Sequence, residues 1–538
     1  MKNFDTFGVM LDCSRNAVAK ISELKKFVNV LSKMGYNMLM LYTEDTYEIE
    51  EEPFFGYKRG KYSADELKEL DEYAASVGVE LIPCIQTLGH LERIFRWRTY
   101  WPIRDIDGVI LADEERTYEL IDRMFSAMSS CIRSRRIHIG MDEAHMLGLG
   151  KYLDKHGYTD RYALFLRHLK KVCEIGRKYG YEMLMWEDMF FQLAAKGYFF
   201  DREIDFPKEV LAELPADVTP VYWDYFSENA DACEAMVRSS KKLSEKVWFA
   251  GGAWVWAGFS PHLRFSNERN KIALEKCKKH GVRNAMITLW ADHGGECPFY
   301  ASLPALMYAA GIAEDMTETQ IKKRFCEVTG ESYDAFMALE LPNYVYGEDE
   351  FYYRDHWNKN PPNYSKNRLF DDPFLAIAST NTVEADGRIY AEYAKLLHRY
   401  AGDSENFSYI FKTAELLCDA LEIKFSLADK TRALYAAGDK AGLRKLADED
   451  YTDFIARLEA FYTAFASQWD ILNKPYGFEV HDAHFGGLER RIAHCRARLW
   501  AYADGKIDKI DELCEGMLPM KDGMMPSWAE VISAGSVL

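Results

Sequence analysis

Through roughly residue 310, short apolar runs alternate with longer amphipathic stretches. The runs are Phe7–Leu11, Asn37–Leu41, Glu80–Ile85, Ile137–Met141, Glu182–Trp186, Val218–Trp223, Val247–Gly251 and Asn284–Leu289. Their length and their Val, Ile, Leu, Met and Tyr content suit strands buried on both faces. Between them, 3.6-residue periodicity predicts helices over Ala19–Met34, Ala64–Val77, Thr117–Ser129, Tyr162–Tyr179 and Glu268–His280. Gly35, Gly78, Gly180 and Gly281 each follow a helical stretch as a stop. Eight strands with intervening helices predict an α/β fold, a (β/α)8 TIM barrel. A doubly wound sheet would need a Gly-rich turn after the first strand, where the chain has Asp12, Cys13, Ser14 and Arg15 instead.

Beyond this region the texture changes. A polar, aromatic, Pro-containing segment from Tyr344 to Tyr364 reads as a loop. Long helices are predicted after it, over Glu384–Arg399, Phe407–Leu427, Lys430–Leu472 with a break near Gly438, and Gly486–Asp504. The expected organisation is a catalytic barrel over 1–314, followed by a C-terminal α-helical domain over 315–538. His481 and His484 read as a helix start or an interface rather than a metal pair.

Composition narrows the classes. The chain has 538 residues, 48% of them hydrophobic and 14% aromatic, which excludes disorder as the main state. A net charge of −18 argues against nucleic acid as a partner, because phosphate recognition draws on clustered Lys and Arg. A neutral polyhydroxylated ligand remains compatible, and aromatic faces can pack on sugar C–H groups. The 11 cysteines are scattered without a C-x-x-C pair, the pattern of reduced thiols. With no apolar leader and no run long enough for a bilayer, the expectation is a cytoplasmic protein without a membrane partner.

In a barrel of this kind chemistry sits where strands end. The exits carry Asp12 and Arg15; Tyr42, Glu44 and Asp45; Gln86 and His90; Asp142, Glu143 and His145. The later exits carry Trp186, Glu187 and Asp188; Trp223, Asp224 and Tyr225; Trp254 and Trp256; and Trp290, Asp292, His293 and Glu296. Carboxylates and Trp recur at one rim. Glycoside hydrolysis fits, with a carboxylic acid protonating the leaving oxygen and aromatic walls gripping the sugar. The alternative is a metal-dependent TIM-barrel hydrolase built on His90, His138 and the rim carboxylates. A sugar-binding protein without chemistry is a third reading, which the Asp142–Glu143 pair disfavours.

The segment His138-Ile139-Gly140-Met141-Asp142-Glu143 resembles the His-x-Gly-Gly-Asp-Glu signature of the glycoside hydrolase family 20 β-N-acetylhexosaminidases, with Met141 at the second glycine. Further likenesses follow in order through the barrel: the first strand up to Arg15, Gln86 to His90, Trp186 to Asp188, and Leu289 to Asp292. The resemblance implies a retaining exo-enzyme that releases terminal GlcNAc or GalNAc from an oligosaccharide or glycoside, with no metal and no organic cofactor. Glu143 would be the general acid/base, and the substrate's 2-acetamido carbonyl the nucleophile, the substrate-assisted route. Asp142 would orient the acetamido group and stabilise its developing charge, and Tyr225 would bond its oxygen.

By the same resemblance Arg15, with Asp292 or Glu296, would hold the outer hydroxyls. Trp186, Trp254 and Trp290 would wall the pocket, and Asp188, Trp223 and His90 complete the substrate-binding set. His138 is counted with that set but, pointing from the strand interior, is expected to act by supporting Asp142 or Glu143. The helical domain, rich in Tyr, His and Arg, is a candidate homodimer surface.

Overall fold

The computed structural model describes residues 3–194, 202–345, 363–378, 387–518, 528–533 and 535. Most of the loop expected between Tyr344 and Tyr364 therefore lies outside the described residues. Eight parallel strands close a barrel in chain order. They are β1 (Thr6–Asp12), β2 (Met38–Tyr42), β3 (Glu80–Cys84), β4 (Arg136–His138), β5 (Glu182–Trp186), β6 (Val218–Trp223), β7 (Trp248–Gly252) and β8 (Asn284–Leu289). Leu11 pairs with Leu41 on one side and with Leu289 on the other, which closes the ring. The expected (β/α)8 architecture is the one observed, with a mostly helical C-terminal region.

Side chains alternate across each strand, and the alternation sorts the two cores. Met10, Met38, Met40, Ile82, Cys84, Leu184, Trp186, Val221, Trp248, Ala250 and Met286 fill the barrel interior. Their neighbours, such as Val9, Leu39, Leu81, Met185 and Ile287, face the surrounding helices. Methionine suits this interior because its unbranched thioether fills irregular gaps. Gly8 is required at the base, since a Cβ there would lie 2.4 Å from the Met38 methyl carbon.

The helices over Ile21–Met34, Ala64–Ser76, Glu115–Cys131, Arg161–Lys178 and Leu263–Lys279 match the periodic stretches. Ala64–Ser76 starts at a capping box between Ser63 and Glu66, and Ile21–Met34 ends at Gly35 in the left-handed region (φ 103°). Further helices add to those read from the pattern, among them Ala230–Leu243, Leu303–Ala313 and Glu318–Thr329. Leu303–Ala313 is buried on nearly every side, so it lacks the polar stripe that makes a helix legible.

The C-terminal region contains helices Arg388–Asp403, Ser408–Ala436, Lys440–Asp448, Asp450–Leu472 and Glu479–Ala503. The expected break near Gly438 falls between two of them. The expected helix start after His484 moves upstream, because Glu479–Ala503 already includes both His481 and His484. This region braces two barrel loops. Asn473 forms an antiparallel bridge with Ala19 in the β1 exit loop, and His481 donates from Nε2 to the Gly294 carbonyl in the β8 exit loop at 3.0 Å.

Candidate active site

The inward alternation of the strands continues past their ends and selects the residues of the mouth. Asp12, Tyr42, Glu44, Gln86, Trp186, Asp188, Trp290 and Asp292 all carry the inward register of their strands. Glu187, of opposite register, points outward and accepts from Ser240 Oγ at 2.7 Å. Asp45 does likewise and pairs with Arg59 at 3.2 Å, whose guanidinium also binds the carbonyls of Ser14 and Arg15. Random placement of carboxylates would not sort this way.

On β4 the register is broken, and that break makes the site. Asp142 carries the inward register after His138, whereas Glu143 would face outward in a continued strand. The strand instead stops at His138, and Gly140 (φ 70°), Met141 (φ 79°) and Glu143 (φ 46°) lie in the left-handed region. Glycine is needed at 140, where a Cβ would sit 1.9 Å from the Gln86 side-chain oxygen. Met141 carries the strain of an ordinary side chain there. Glu44 (φ 45°) and His90 (φ 54°) share this conformation, so strained backbone gathers at one rim.

The two adjacent carboxylates end in different surroundings. Asp142 is buried: Gln86 Nε2 donates to Oδ1 at 3.0 Å, and His90 Nε2 lies 3.2 Å from Oδ2. Burial alone would raise its proton affinity, but His90 and Gln86 outweigh it and hold the carboxyl below the ordinary range. Burial likewise opposes charge on His90, yet Asp142 prevails and pushes the imidazole up to about 10. The Glu143 side chain is 49% exposed and faces the mouth, 3.6 Å from His90 Nε2. Its backbone N–H donates to Asp188 Oδ2 at 2.9 Å. Asp188 is itself raised well above the carboxylate range by burial and by the Asp142 charge.

Arg15 spans the opposite side, 3.2 Å from Asp292, 3.6 Å from Glu44 and 3.8 Å from Asp12. Burial lifts Glu44 to about 7 against the pull of Arg15, and Tyr42 donates to its carboxylate at 3.1 Å. Asp12 Oδ2 accepts from the Ala291 N–H at 3.0 Å, stitching the first exit to the last. Glu44, Gln86 and Tyr42 are therefore site residues that the expected set omits. Strand parity was the signal available for them, since Glu44 and not Asp45 continues the register of Met38, Met40 and Tyr42.

The aromatic groups form a floor and one wall. Trp186 is 1% exposed and lies beneath Trp290, with ring centroids 6.0 Å apart; Trp290 stands edge-on to Tyr42 at 4.8 Å. Trp223 stacks on Tyr225 at 5.3 Å, and Trp254 stacks on Trp256 at 4.2 Å. Trp254 is buried and donates to the Tyr225 carbonyl at 3.1 Å, so it supports the tyrosine. Thr288 and Trp290 approach the buried Tyr225 hydroxyl.

Glu296 and His138, both counted with the substrate-binding set, are buried; the first departs from its expected placement and the second takes the supporting place expected of it. Glu296 does not join Arg15: it is buried against the helical region, where Lys366 Nζ binds its Oε2 at 2.7 Å. Gly294 (φ 114°) and Gly295 (φ 64°) reverse the chain between Asp292 and Glu296 and send the two carboxylates apart. His138 is fully buried: its Nδ1 accepts from the Gly140 N–H at 3.1 Å and its ring lies 4.4 Å from Trp186. Burial lowers it to about 3, so it is a neutral support under the turn and not a contact residue. Among the described residues the rim metal site of the alternative reading is not assembled: His90 Nε2 lies on Asp142, and His138 Nδ1 accepts from the Gly140 N–H.

A closed (β/α)8 barrel with acidic and aromatic side chains converging at the strand exits defines a barrel enzyme of the glycosidase type. Residues 4–202 match the glycosyl hydrolase family 20 catalytic domain, and residues 334–531 match the glycoside hydrolase 20C C-terminal domain. The chain belongs to glycoside hydrolase family 20. Hexosaminidase D of Bos taurus is 25% identical over 255 residues, covering 45% of this chain and 68% of the relative. Hexosaminidase D of Homo sapiens is 25% identical over 254 residues, covering 45% of this chain and 48% of the relative. The match to the human protein thus spans about half of that relative's length. Among solved structures, the exo-β-N-acetylglucosaminidase of Vibrio harveyi in complex with N-acetylglucosamine is 17% identical, with a TM-score of 0.46 over 61% of this chain and 58% of that one.

Proposed function

We propose that the chain is an exo-acting, retaining β-N-acetylhexosaminidase that releases terminal GlcNAc or GalNAc by substrate-assisted catalysis. The observation that carries this reading is the division of labour between neighbours. Asp142 is buried, charged and held by two donors, while Glu143 is presented to the mouth. Glu143 donates its proton to the glycosidic oxygen as the C1–O bond breaks. The acetamido carbonyl oxygen attacks C1 from the opposite face, giving an oxazolinium. Asp142 accepts the acetamido N–H and offsets the positive charge that spreads onto the ring. Such stabilisation is strongest from a fixed, desolvated carboxylate. Water then adds to C1, giving its proton to Glu143, and two inversions leave the β configuration.

Tyr225 donates to the acetamido oxygen, and Trp223, stacked on it, and Trp290 line the sugar. Arg15, Asp292 and Glu44 bind the outer hydroxyls. Closure at that end, by a cation already flanked by three carboxylates, accounts for exo action. The reaction needs no metal or organic cofactor. Residues 1–314 act as the catalytic unit and 315–538 as its helical brace, with a dimer through the latter open to test by sedimentation. All 11 cysteines are free, and all but Cys326 and Cys514 are buried, which supports a reducing, cytoplasmic location. No helix among the described residues is long and apolar enough to cross a membrane.

A panel of 4-nitrophenyl glycosides, with and without the 2-acetamido group, tests the assignment. Turnover confined to the 2-acetamido β-glycosides is expected. Equal turnover of the 2-hydroxy analogues would overturn it.

A further inference from the structure

We propose that Glu296, His481 and His484 form a binding site for a divalent transition metal of the zinc type, joining the β8 exit loop to the helix Glu479–Ala503. Each of the three offers a ligand atom, and these atoms lie within 4.8 Å of one another. Among the described residues this is the only such cluster of His, Cys, Asp and Glu. The two histidines stand three apart in the first turns of a long helix, so they share a face.

The hydrogen bonds specify which atoms remain. A carbonyl can only accept, so the Gly294 oxygen fixes the His481 proton on Nε2 and leaves a lone pair on Nδ1. Metal-bound histidines are held in this way, by an outer donor bond that sets the tautomer. Lys366 occupies Glu296 Oε2 and leaves Oε1. Glu296 Oε1, His481 Nδ1 and His484 Nδ1 are buried without a hydrogen-bond partner. Glu296 is 3% exposed and His481 1%, so bulk water does not satisfy them. Two acceptors, Glu296 Oε1 and His481 Nδ1, gathered with an imidazole nitrogen whose tautomer no hydrogen bond fixes, cost free energy away from solvent unless something positive or donating binds among them.

The donor set identifies the ligand. Lys366 already balances the Glu296 charge, so a hard cation held by charge alone, such as Ca²⁺ or Mg²⁺, gains little and meets an ammonium. Two imidazole nitrogens and one carboxylate oxygen are ligands of Zn²⁺, Co²⁺, Ni²⁺ and Cu²⁺. His484 is less deeply buried than the other two and gives an entry path. The site lies beyond the Gly294–Gly295 reversal from Asp292, so its role is to fix the loop rather than to take part in hydrolysis.

The test uses the full chain, stripped with a chelator, dialysed, and titrated with Zn²⁺ and with Co²⁺. About one tightly held ion per chain is expected, with the visible bands of a four-coordinate nitrogen–oxygen Co²⁺ centre and a rise in thermal midpoint. Glu296→Gln and His484→Ala should each weaken binding roughly 10-fold or more and abolish the midpoint rise. Circular dichroism of both variants establishes that they are folded, and His484→Gln replaces His484→Ala if that variant is not. Failure of the native chain to retain metal would overturn the proposal. So would unchanged uptake by folded variants, which would place the ion elsewhere.

Discussion

The backbone N–H of Glu143 donates to the side chain of Asp188 at 2.9 Å, so a carboxyl just past the end of the neighbouring strand positions the residue assigned as general acid. Burial and the Asp142 charge both favour the protonated form of Asp188. Asparagine mimics a neutral carboxyl and keeps an oxygen to accept the bond. Asp188→Asn should therefore keep kcat within about 3-fold of the native value, whereas Asp188→Ala should lower it by roughly 5- to 100-fold, the cost of one buried unsatisfied group. Steady-state kinetics of the two variants decide this. Equal damage from both would mean that a charged carboxylate is needed.

Glu143→Gln should lower kcat by on the order of 10²- to 10⁴-fold on substrates with a poor leaving group, with KM little changed. The loss should shrink as the leaving group improves, because an acidic phenol departs without a proton. A series of aryl N-acetylglucosaminides reads this slope. Full activity of the variant across the series would remove Glu143 from the acid role.

Asp142→Asn should cost about 10²- to 10³-fold in kcat on 2-acetamido substrates, the range for losing one preorganised electrostatic partner of the transition state. Gln86→Ala, which removes a donor from the same carboxylate, should act in the same direction and more weakly. An undiminished rate for Asp142→Asn would argue against anchimeric assistance.

His90 and Asp142 link stability to pH with opposite signs. The His90 proton affinity is raised in the folded chain, so its contribution is complete below about 6.5 and is lost as pH rises toward about 10. That of Asp142 is lowered, so its contribution is present above about 3.9 and is lost as pH falls below it. Denaturant unfolding of native chain and His90→Gln at pH ~5.5 and pH ~9.5 should show a wider stability gap at the lower pH. A gap that does not change between them would show that the pair is not coupled to folding.

Met141→Gly sets two terms against each other. Relief of the left-handed strain is worth about 1–2 kcal/mol, but removal of a fully buried Met side chain costs about 2–5 kcal/mol. A net destabilisation of roughly 0–4 kcal/mol is expected, together with a looser β4 turn. Thermal unfolding measures it. A gain in stability would show that the backbone strain dominates.

The strands were legible because each is buried on both faces and reads as a short apolar run bounded by turn residues. β4 ends earlier than its run predicts, since no apolar pattern records that Gly140 and Met141 turn left-handed. The Asp142–Glu143 pair was legible through its motif, whereas Glu44 required strand parity, which charge counting ignores. Glu296 was misplaced because proximity in sequence to Asp292 suggested proximity in space. Its partners Lys366 and His481 come from far along the chain, and local pattern holds no record of such contacts. Leu303–Ala313 stayed hidden for the converse reason, being too uniformly apolar to show a period.

The bracing of the β1 and β8 exit loops by Asn473, His481 and Lys366 bears on how this enzyme can be divided. A fragment ending at residue 314 would keep all eight strands, yet the segments presenting Arg15 and Asp292 would lose the surfaces that hold them. Architecture and function thus part company at that boundary. On the proposed reading the barrel supplies the reacting groups while the loops that would grip the sugar depend on the whole chain, so a change far along the helices is expected to shift KM before kcat.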